Sequence, residues 1–322
     1  MTRPIVALSR RLPAQAEAAL AERFDLRRNE SDVPWGPAEF RVALQSADGV
    51  VCTVSDRLGA DVLVPPVRAR VLANFGVGVN HIDLEAARRA GLVVTNTPDV
   101  LTEDTADLAM ALLLAVARGL GSGERLVRSG QWEGWGPTAQ LGTRVSGKTL
   151  GVVGCGRIGQ AVARRARFGF DMPVLYHQRQ PLPSTHDLTP HLRWCESLDE
   201  LLPACDFVSL HVPATPHTRQ LMDARRLALM RPTAFLINTA RGDVVDEAAL
   251  AAAVRSGGIA GAGLDVYERE PQVAAALLDL PRVVLLPHLG SATTETRVSM
   301  GLRCLANLAA VFGGRVPPDA VC

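Results

Sequence analysis

Residues 149–169 read TLGVVGCGRIGQAVARRARFG, and the fold turns on how they are understood. A short apolar run ends at glycine, and a helical pattern begins directly after it. Gly154, Gly156 and Gly159 stand at this junction in G-x-G-x-x-G spacing. Isolated, such a triplet is a common turn; between a strand and a helix it marks a dinucleotide-binding βαβ unit. There the first glycine permits a tight turn and the second lets the backbone approach a pyrophosphate. The third lets the helix pack close to the sheet, and the helix N-terminus faces the negative charge.

In such units an acidic residue about 20 positions on binds both ribose hydroxyls. The corresponding stretch here, VLYHQRQP at 174–181, offers His177, Gln178 and Arg179 and no carboxylate. A carboxylate would repel a 2′-phosphate, whereas Arg179 could pair with one through charge-assisted bonds. Such a pair is worth about 1.5–3 kcal/mol, one to two decades in affinity. The expectation is therefore a site for NADP(H) in preference to NAD(H); the competing reading of Arg179 is a solvated loop residue.

Composition narrows the setting. At 322 residues the chain is long enough for two domains. Hydrophobic residues at 48% and charged residues at 21% give a soluble globular balance, and 4% aromatics leave the core to Ala, Val and Leu. A net charge of +1 with no basic block argues against a nucleic-acid partner. Six cysteines without C-x-x-C spacing suggest reduced thiols and a cytoplasmic location. The N-terminal apolar run is too short for a secretory signal. The longest apolar run, LAMALLLAVA at 108–117, is about half a bilayer span, so no membrane anchor is expected.

Strand-like runs alternate with helical ones along both halves of the chain. PIVALSR, DGVVCTV, RVLANFG and GLVVTNTP read as strands before residue 99, with PAQAEAALAERF as a helix. Pro98 and Thr102 then introduce a helix over 103–119, apolar nearly all round and so expected to be buried between layers. GSGERLVRSGQWEGWGP reads as a loop, and a second alternation follows it: TLGVVG, PVLYH, DFVSLHVP, AFLINTA, GAGLDVYE and RVVLLPH. QPLPSTHDLTPHLRW reads as an irregular surface excursion, and a last helix runs from about Thr293 to Phe312. This alternation predicts an α/β protein of two Rossmann-like, doubly wound parallel-sheet domains. Residues 100–289 form the dinucleotide-binding domain, inserted in a flavodoxin-like substrate domain of 1–99 plus 290–322.

Three segments close strands of the second alternation: LINTARGDVVDE, GLDVYEREP and LLPHLGSATTETR. Ligands of open α/β sheets bind at the carboxyl ends of strands, so Arg241, Glu270 and His288 converge on the side of the glycine loop. Carbonyl reduction needs a proton donor active near neutrality, which histidine provides. It needs a fixed cation for a carboxylate and the carbonyl, which arginine provides. An anion such as Glu270 favours the protonated ring and orients it. Each residue also has a plain structural reading, as a strand-end hydrogen-bonder or a turn residue before proline.

NFGVGVNHID, GKTLGVVGCGRIG, LHVPATPHTRQL, LINTARGDVVDE, GAGLDVYEREP and PHLGSAT together resemble the D-isomer-specific 2-hydroxyacid dehydrogenases, nearest the glyoxylate/hydroxypyruvate reductase group. The likeness spans nearly the whole chain. It implies two Rossmann-like domains with the substrate in the cleft between them, and a homodimer. It makes His288 the proton donor, Glu270 its partner and Arg241 the substrate-orienting cation. Amides around Val77 and Gly78 would hold the substrate carboxylate, with Ser291 nearby. Thr105, Arg157, Ile158, Pro213, Thr218, Ala240, Asp265 and Gly290 would join the three glycines, Gln178 and Arg179 in holding the cofactor.

The formate dehydrogenases of this superfamily carry Gln at the Glu270 position and phosphite dehydrogenase a Lys at the Val77 position, so both are excluded. In the reductase group a loop like EGWGP can reach across a dimer, which would bring Trp135 to the neighbouring substrate; the alternative is that Trp132 and Trp135 staple their own loop. Asp107 stands where many relatives have Glu. The implied reaction is reduction of a small 2-oxo acid, glyoxylate or hydroxypyruvate, to the D-2-hydroxy acid or glycolate.

Two alternatives stay open. One is a D-lactate-type or broad 2-keto acid reductase, because loops around Cys52 to Ser55 and Trp135 shape the pocket. The other is a dinucleotide-sensing, non-catalytic interaction protein. His186, His191 and Cys195 lack a fourth ligand, so no metal is expected. Arg164, Arg165 and Arg167 read as the solvated face of their helix.

Overall fold

The computed structural model describes residues 3–322. The first elements are Ile5–Leu8 (β1), Ala14–Arg23 (α1), Asp25–Arg28 (β2), Pro37–Ser46 (α2) and Gly49–Thr53 (β3). Val71–Phe75 (β4), Leu84–Arg89 (α3) and Val93–Thr95 (β5) complete this part. Next come Thr102–Arg118 (α4), Leu120–Arg128 (α5), Leu150–Val153 (β6), Arg157–Phe170 (α6), Val174–His177 (β7) and Leu192–Trp194 (β8). Leu198–Leu201 (α7), Phe207–Leu210 (β9), Ala224–Leu227 (α8), Phe235–Asn238 (β10) and Glu247–Arg255 (α9) follow. Gly261–Leu264 (β11), Ala275–Leu278 (α10), Val283–Leu285 (β12) and Thr294–Phe312 (α11) close the chain. The chain divides into two compact units, one running to Leu101 and resuming at Ser291–Cys322, the other Thr102–Gly290.

In the first unit five parallel strands lie in the order β2-β1-β3-β4-β5, the flavodoxin-like winding. One face packs Phe40, Ala43 and Leu44 of α2 and Ala86 and Ala87 of α3 against Val50, Leu72 and Val94. The other face is covered by α11, which packs on β4 and on α1. The two edges differ. β2 (DLRR) is polar and mostly exposed. At β5 the end of the chain returns alongside the strand: the Val94 amide donates to the Cys322 carbonyl (3.1 Å) and the Val321 amide to the Val94 carbonyl (2.8 Å). Arg303 of α11 grips buried Asp319 through two bonds of 2.6 and 2.7 Å, and Asn307 adds a third at 2.9 Å.

The second unit has seven parallel strands in the order β12-β11-β10-β9-β6-β7-β8. Reversal of direction at β6 makes this a Rossmann sheet, with the switch point at the β6 and β9 pair. Successive residues of these buried strands feed opposite cores. Val152, Tyr176, Phe207 and Ile237 meet α4 and α6, while Val153, Leu175, Val208 and Leu236 meet residues of α7, α8 and α9.

Several sequence expectations change here. The stretch read as a loop after residue 119 contains α5, whose Gly121 and Gly123 conceal a helix with no buried residue. The excursion at 180–194 ends in β8, an edge strand of only three residues. Neither β2 nor α2 was expected, β2 because its polar residues lack alternation. α4 buries most of its surface but leaves Glu103, Asp107, Ala111 and Arg118 exposed on one stripe. That stripe explains Asp107, which accepts from Arg165 Nε at 2.6 Å, while Glu103 accepts from Arg165 Nη2 at 2.7 Å. Arg165 is therefore a bridge from α6 to α4 and not a solvated residue. No single helix among the described residues is long and apolar enough to cross a membrane.

Candidate active site

The glycine loop follows β6 at the switch point. Gly154 has φ +90°, and a Cβ there would lie 2.7 Å from the His211 carbonyl oxygen. A Cβ on Gly159 would lie 2.1 Å from the Gly154 carbonyl oxygen, so α6 can approach β6 only through glycine. A Cβ on Gly156 would meet nothing within 4 Å, and no acidic residue sits in the first turn of α6. Close contact below and open space above, at a helix N-terminus free of negative charge, suit a dinucleotide pyrophosphate. Arg157 is exposed at this end and Ile158 packs into the core.

Around the loop, the His177 carbonyl accepts from the Gly154 amide at 2.9 Å, tying the end of β7 to the glycine turn. Gln178 is half-buried and Arg179 exposed. The turn after β9 is closed by Thr218, whose hydroxyl donates to the Pro213 carbonyl (2.6 Å) and accepts from the Thr215 amide (2.8 Å). His211, which enters this turn, holds Ser209 Oγ 2.8 Å from its Nε2, and burial pushes its pKa down to about 4.

Arg241, Asp265 and His288 follow β10, β11 and β12 at the carboxyl edge of the same sheet, and Glu270 lies on the loop after β11. His288 Nδ1 stands 2.8 Å from Glu270 Oε2, and Glu270 Oε1 accepts from the Tyr267 amide at 3.0 Å. Burial alone would raise the Glu270 pKa. The hydrogen bond and charge of His288, the Tyr267 amide and the charge of Arg241 outweigh burial and hold it below the ordinary value. With the carboxylate accepting at Nδ1, Nε2 is the ring nitrogen left for other chemistry. Burial lowers the Arg241 pKa, opposed by the Glu270 charge, yet a guanidinium stays charged. Its Nη1 donates to the Ala240 carbonyl at 2.6 Å.

Asp265 is buried and shapes the turn that carries the histidine. Its carboxylate accepts from the Leu289 amide (2.6 Å) and the Gly290 amide (2.9 Å), and its carbonyl accepts from the His288 amide (2.9 Å). Thr105 Oγ1 donates to the Gly290 carbonyl at 2.9 Å. His288 itself has φ +57°, a left-handed conformation that costs a non-glycine residue about 1–3 kcal/mol and is held by these bonds. Burial raises the Asp265 pKa beyond what the Leu289 amide, the His288 charge and the Gly290 amide recover.

Two bracing residues escaped the sequence reading. Asn238, the last residue of β10, accepts from the Ala240 amide (3.0 Å) and donates to the Arg241 carbonyl (2.9 Å). Buried Glu247, in the first turn of α9, accepts from the Glu268 amide at 2.8 Å and so fixes the loop bearing Glu270. A polar residue closing the apolar strand FLIN was the available signal for the first.

Trp135 is not gathered with these residues. It is 86% exposed and Trp132 57%. Among the described residues no group of three or more His, Cys, Asp or Glu could hold a metal. His186 pairs with Asp187, and His191 meets the Phe168 ring edge-on. In the first unit, the Val77 carbonyl accepts from Asn96 Nδ2 (2.8 Å) and the Gly78 carbonyl from Asn74 Nδ2 (3.0 Å). The amides of Val77 and Gly78 donate to no group among the described residues. The Ser291 carbonyl accepts from Arg297 Nε at 3.0 Å.

Residues 110–290 match the family model described as D-isomer specific 2-hydroxyacid dehydrogenase, NAD binding domain. The chain is similar to glyoxylate reductase of Thermococcus onnurineus, 44% identical over 99% of this chain and 96% of the relative. To glyoxylate reductase of Thermococcus kodakarensis it is 45% identical over 99% and 96%. Among solved structures, a Thermus thermophilus protein superposes with a TM-score of 0.90 at 45% identity, covering 99% of this chain and 100% of that one. An NADPH-dependent glyoxylate/hydroxypyruvate reductase of Sinorhizobium meliloti, in complex with NADP and malonate, superposes with a TM-score of 0.87 at 37% identity, covering 100% and 97%. The glycine loop, the histidine–carboxylate pair and this full-length likeness lead to one conclusion: the chain belongs to the D-isomer-specific 2-hydroxyacid dehydrogenases, enzymes that use a nicotinamide dinucleotide.

Proposed function

We propose that the protein reduces small 2-oxo acids, glyoxylate and hydroxypyruvate, with NADPH preferred over NADH. The observation that carries this reading is the His288–Glu270 pair at 2.8 Å, beside Arg241 on the edge that also bears the glycine loop. The bound nicotinamide supplies the hydride. His288 delivers a proton from Nε2 to the carbonyl oxygen, and Glu270 stabilises and orients the ring throughout. Arg241 holds the substrate carboxylate and draws charge toward the carbonyl oxygen. The amides of Val77 and Gly78, with Ser291, are proposed as further anchors of that carboxylate. The product is a D-2-hydroxy acid, or glycolate from glyoxylate.

Three observations support the substrate and cofactor. Two relatives carry the name glyoxylate reductase, and the Sinorhizobium meliloti protein is NADPH-dependent. Arg179 makes no ion pair or hydrogen bond among the described residues, and no acid occupies 174–181. We also read the protein as a homodimer in which Trp135 borders the neighbouring substrate.

The test crosses NADPH and NADH against glyoxylate, hydroxypyruvate and pyruvate, following reduced-cofactor absorbance. Fast turnover of the first two acids with at least a tenfold NADPH advantage is expected. Equal use of NADH rejects the cofactor assignment, and absence of turnover despite tight dinucleotide binding rejects the enzymatic one.

A further inference from the structure

The segment after β7 that carries Arg179 has no regular structure, yet it is held at several points. The Cys195 amide donates to the Tyr176 carbonyl at 2.8 Å, and His177 Nδ1 lies 3.1 Å from the Cys195 carbonyl. Trp194 Nε1 donates to the Gln178 carbonyl at 3.2 Å. At the far side the buried Tyr176 hydroxyl accepts from the Leu182 amide at 2.8 Å. Residues 177–182 thus form a small arch, fixed at its start by the end of β8 and at its close by Tyr176. Arg179 stands on this arch, one residue beyond the carbonyl that the Trp194 indole holds.

These bonds select a conformation of the main chain. A long arginine on an unpinned loop must lose both backbone and side-chain freedom to pair with a phosphate, and that ordering subtracts from affinity. Pinning Gln178 removes much of the backbone share beforehand. Trp194 is suited to this because its indole body packs against the core while its N–H, a donor that accepts nothing, faces the arch.

We propose that Trp194 is a positioning residue for cofactor choice: its indole N–H fixes the Gln178 carbonyl and so pre-orients Arg179 toward the 2′-phosphate of NADPH. The proposal rests on the NADPH preference and the phosphate role of Arg179 advanced above. It assigns a function to the three-residue strand β8, at the end of the stretch whose sequence reads as an irregular excursion. Tyr176 is the second pin of the same arch.

The test measures KM and kcat for NADPH and NADH separately in wild type, Arg179→Ala, Trp194→Phe and Tyr176→Phe, with Tm for each. Phe at 194 keeps an aromatic body in the core but removes the N–H together with the second ring. KM for NADPH should rise about 3- to 10-fold in Trp194→Phe, the scale of one lost hydrogen bond, while KM for NADH stays within twofold. A packing role alone would raise both KM values together and lower Tm, and that result overturns the proposal. Tyr176→Phe should show the same selective loss, a check that does not depend on how well the indole site tolerates phenylalanine. If wild type prefers NADPH and Arg179→Ala erases the preference but neither pin variant alters it, Trp194 is not a positioning residue and the cofactor reading stands. If wild type shows no preference, the cofactor reading fails and the role of Trp194 fails with it.

Discussion

Replacing Glu270 with glutamine keeps the shape of the side chain and removes its charge. Glu270 Oε2 stands 2.8 Å from His288 Nδ1, and Oε1 still has the Tyr267 amide to hold the loop. What the variant loses is the charge-assisted bond between the carboxylate and the ring nitrogen. A hydrogen bond to a charged partner is worth about 1.5–3 kcal/mol. Because the Glu270 side chain is 35% exposed and that of His288 28%, solvent screening favours the lower part of this range. Glu270→Gln should therefore reduce kcat/KM for 2-oxo acid reduction about 10- to 50-fold near neutral pH.

Stability follows the carboxylate by a separate route. The folded pKa of Glu270 lies below its ordinary value. Its contribution is therefore present above about pH 4.5 and disappears as pH falls through the folded value. The assay is a pH–rate profile with saturating NADPH, paired with dinucleotide titration to show that cofactor binding persists. If kcat/KM stays within twofold of wild type across pH 5–9, Glu270 is not the partner of the proton donor.

Three further outcomes are expected. His288→Asn should lower kcat about 10²- to 10⁴-fold while the dissociation constant for NADPH, read from fluorescence titration, changes little; near-normal turnover would displace His288 as the proton donor. Gly159→Ala places a Cβ 2.1 Å from a backbone oxygen that cannot rotate away. Urea unfolding should show about 1–3 kcal/mol of lost stability and dinucleotide affinity should weaken with it; an unchanged midpoint would mean that α6 does not sit so close to β6. His211 has a folded pKa of about 4 against an ordinary 6.5. The unfolded chain therefore binds a proton that the folded chain refuses, and this penalty is absent above pH 6.5 and grows as pH falls toward 4. His211→Asn should recover about 1–3 kcal/mol of the stability that wild type loses between pH 7 and 4.5; an identical loss in both proteins would show that His211 does not titrate in this way.

The parts of the molecule legible in its sequence are those where the local signal and the global fold coincide. Gly154, Gly156 and Gly159 need no information beyond their neighbours, because strand, turn and helix start all lie within fifteen residues. Arg241, Glu270 and His288 could be listed from their strand ends, since open sheets gather such ends at one edge. What stayed hidden depends on residues far apart in the chain. Arg165 looks like one of a solvated row until α4 brings Glu103 and Asp107 to it from 62 and 58 positions away. Glu247 reads as an ordinary acid in a helical first turn; its acceptor role requires Glu268, 21 residues later. β8 and α5 failed for another reason. Three residues show no periodicity, and a helix with two glycines and no buried face shows little.

The five-stranded sheet defends its two borders by different means. Exposed backbone at the rim of a sheet is a template on which another chain can add a strand. On β2 the side chains of Asp25, Arg27 and Arg28 make such addition electrostatically awkward. β5 has no such guard: it reads Val-Val-Thr, which is adhesive sequence. There the protein occupies its own template, because the Cys322 carbonyl and the Val321 amide take up the groups that a foreign strand would seek. The Arg303 and Asn307 bonds to Asp319 are then the latch on a self-made cap. The cover over β5 is thus held by Asp319, whose carbonyl accepts from the Asn96 amide just past the strand while its carboxylate is gripped by Arg303 and Asn307.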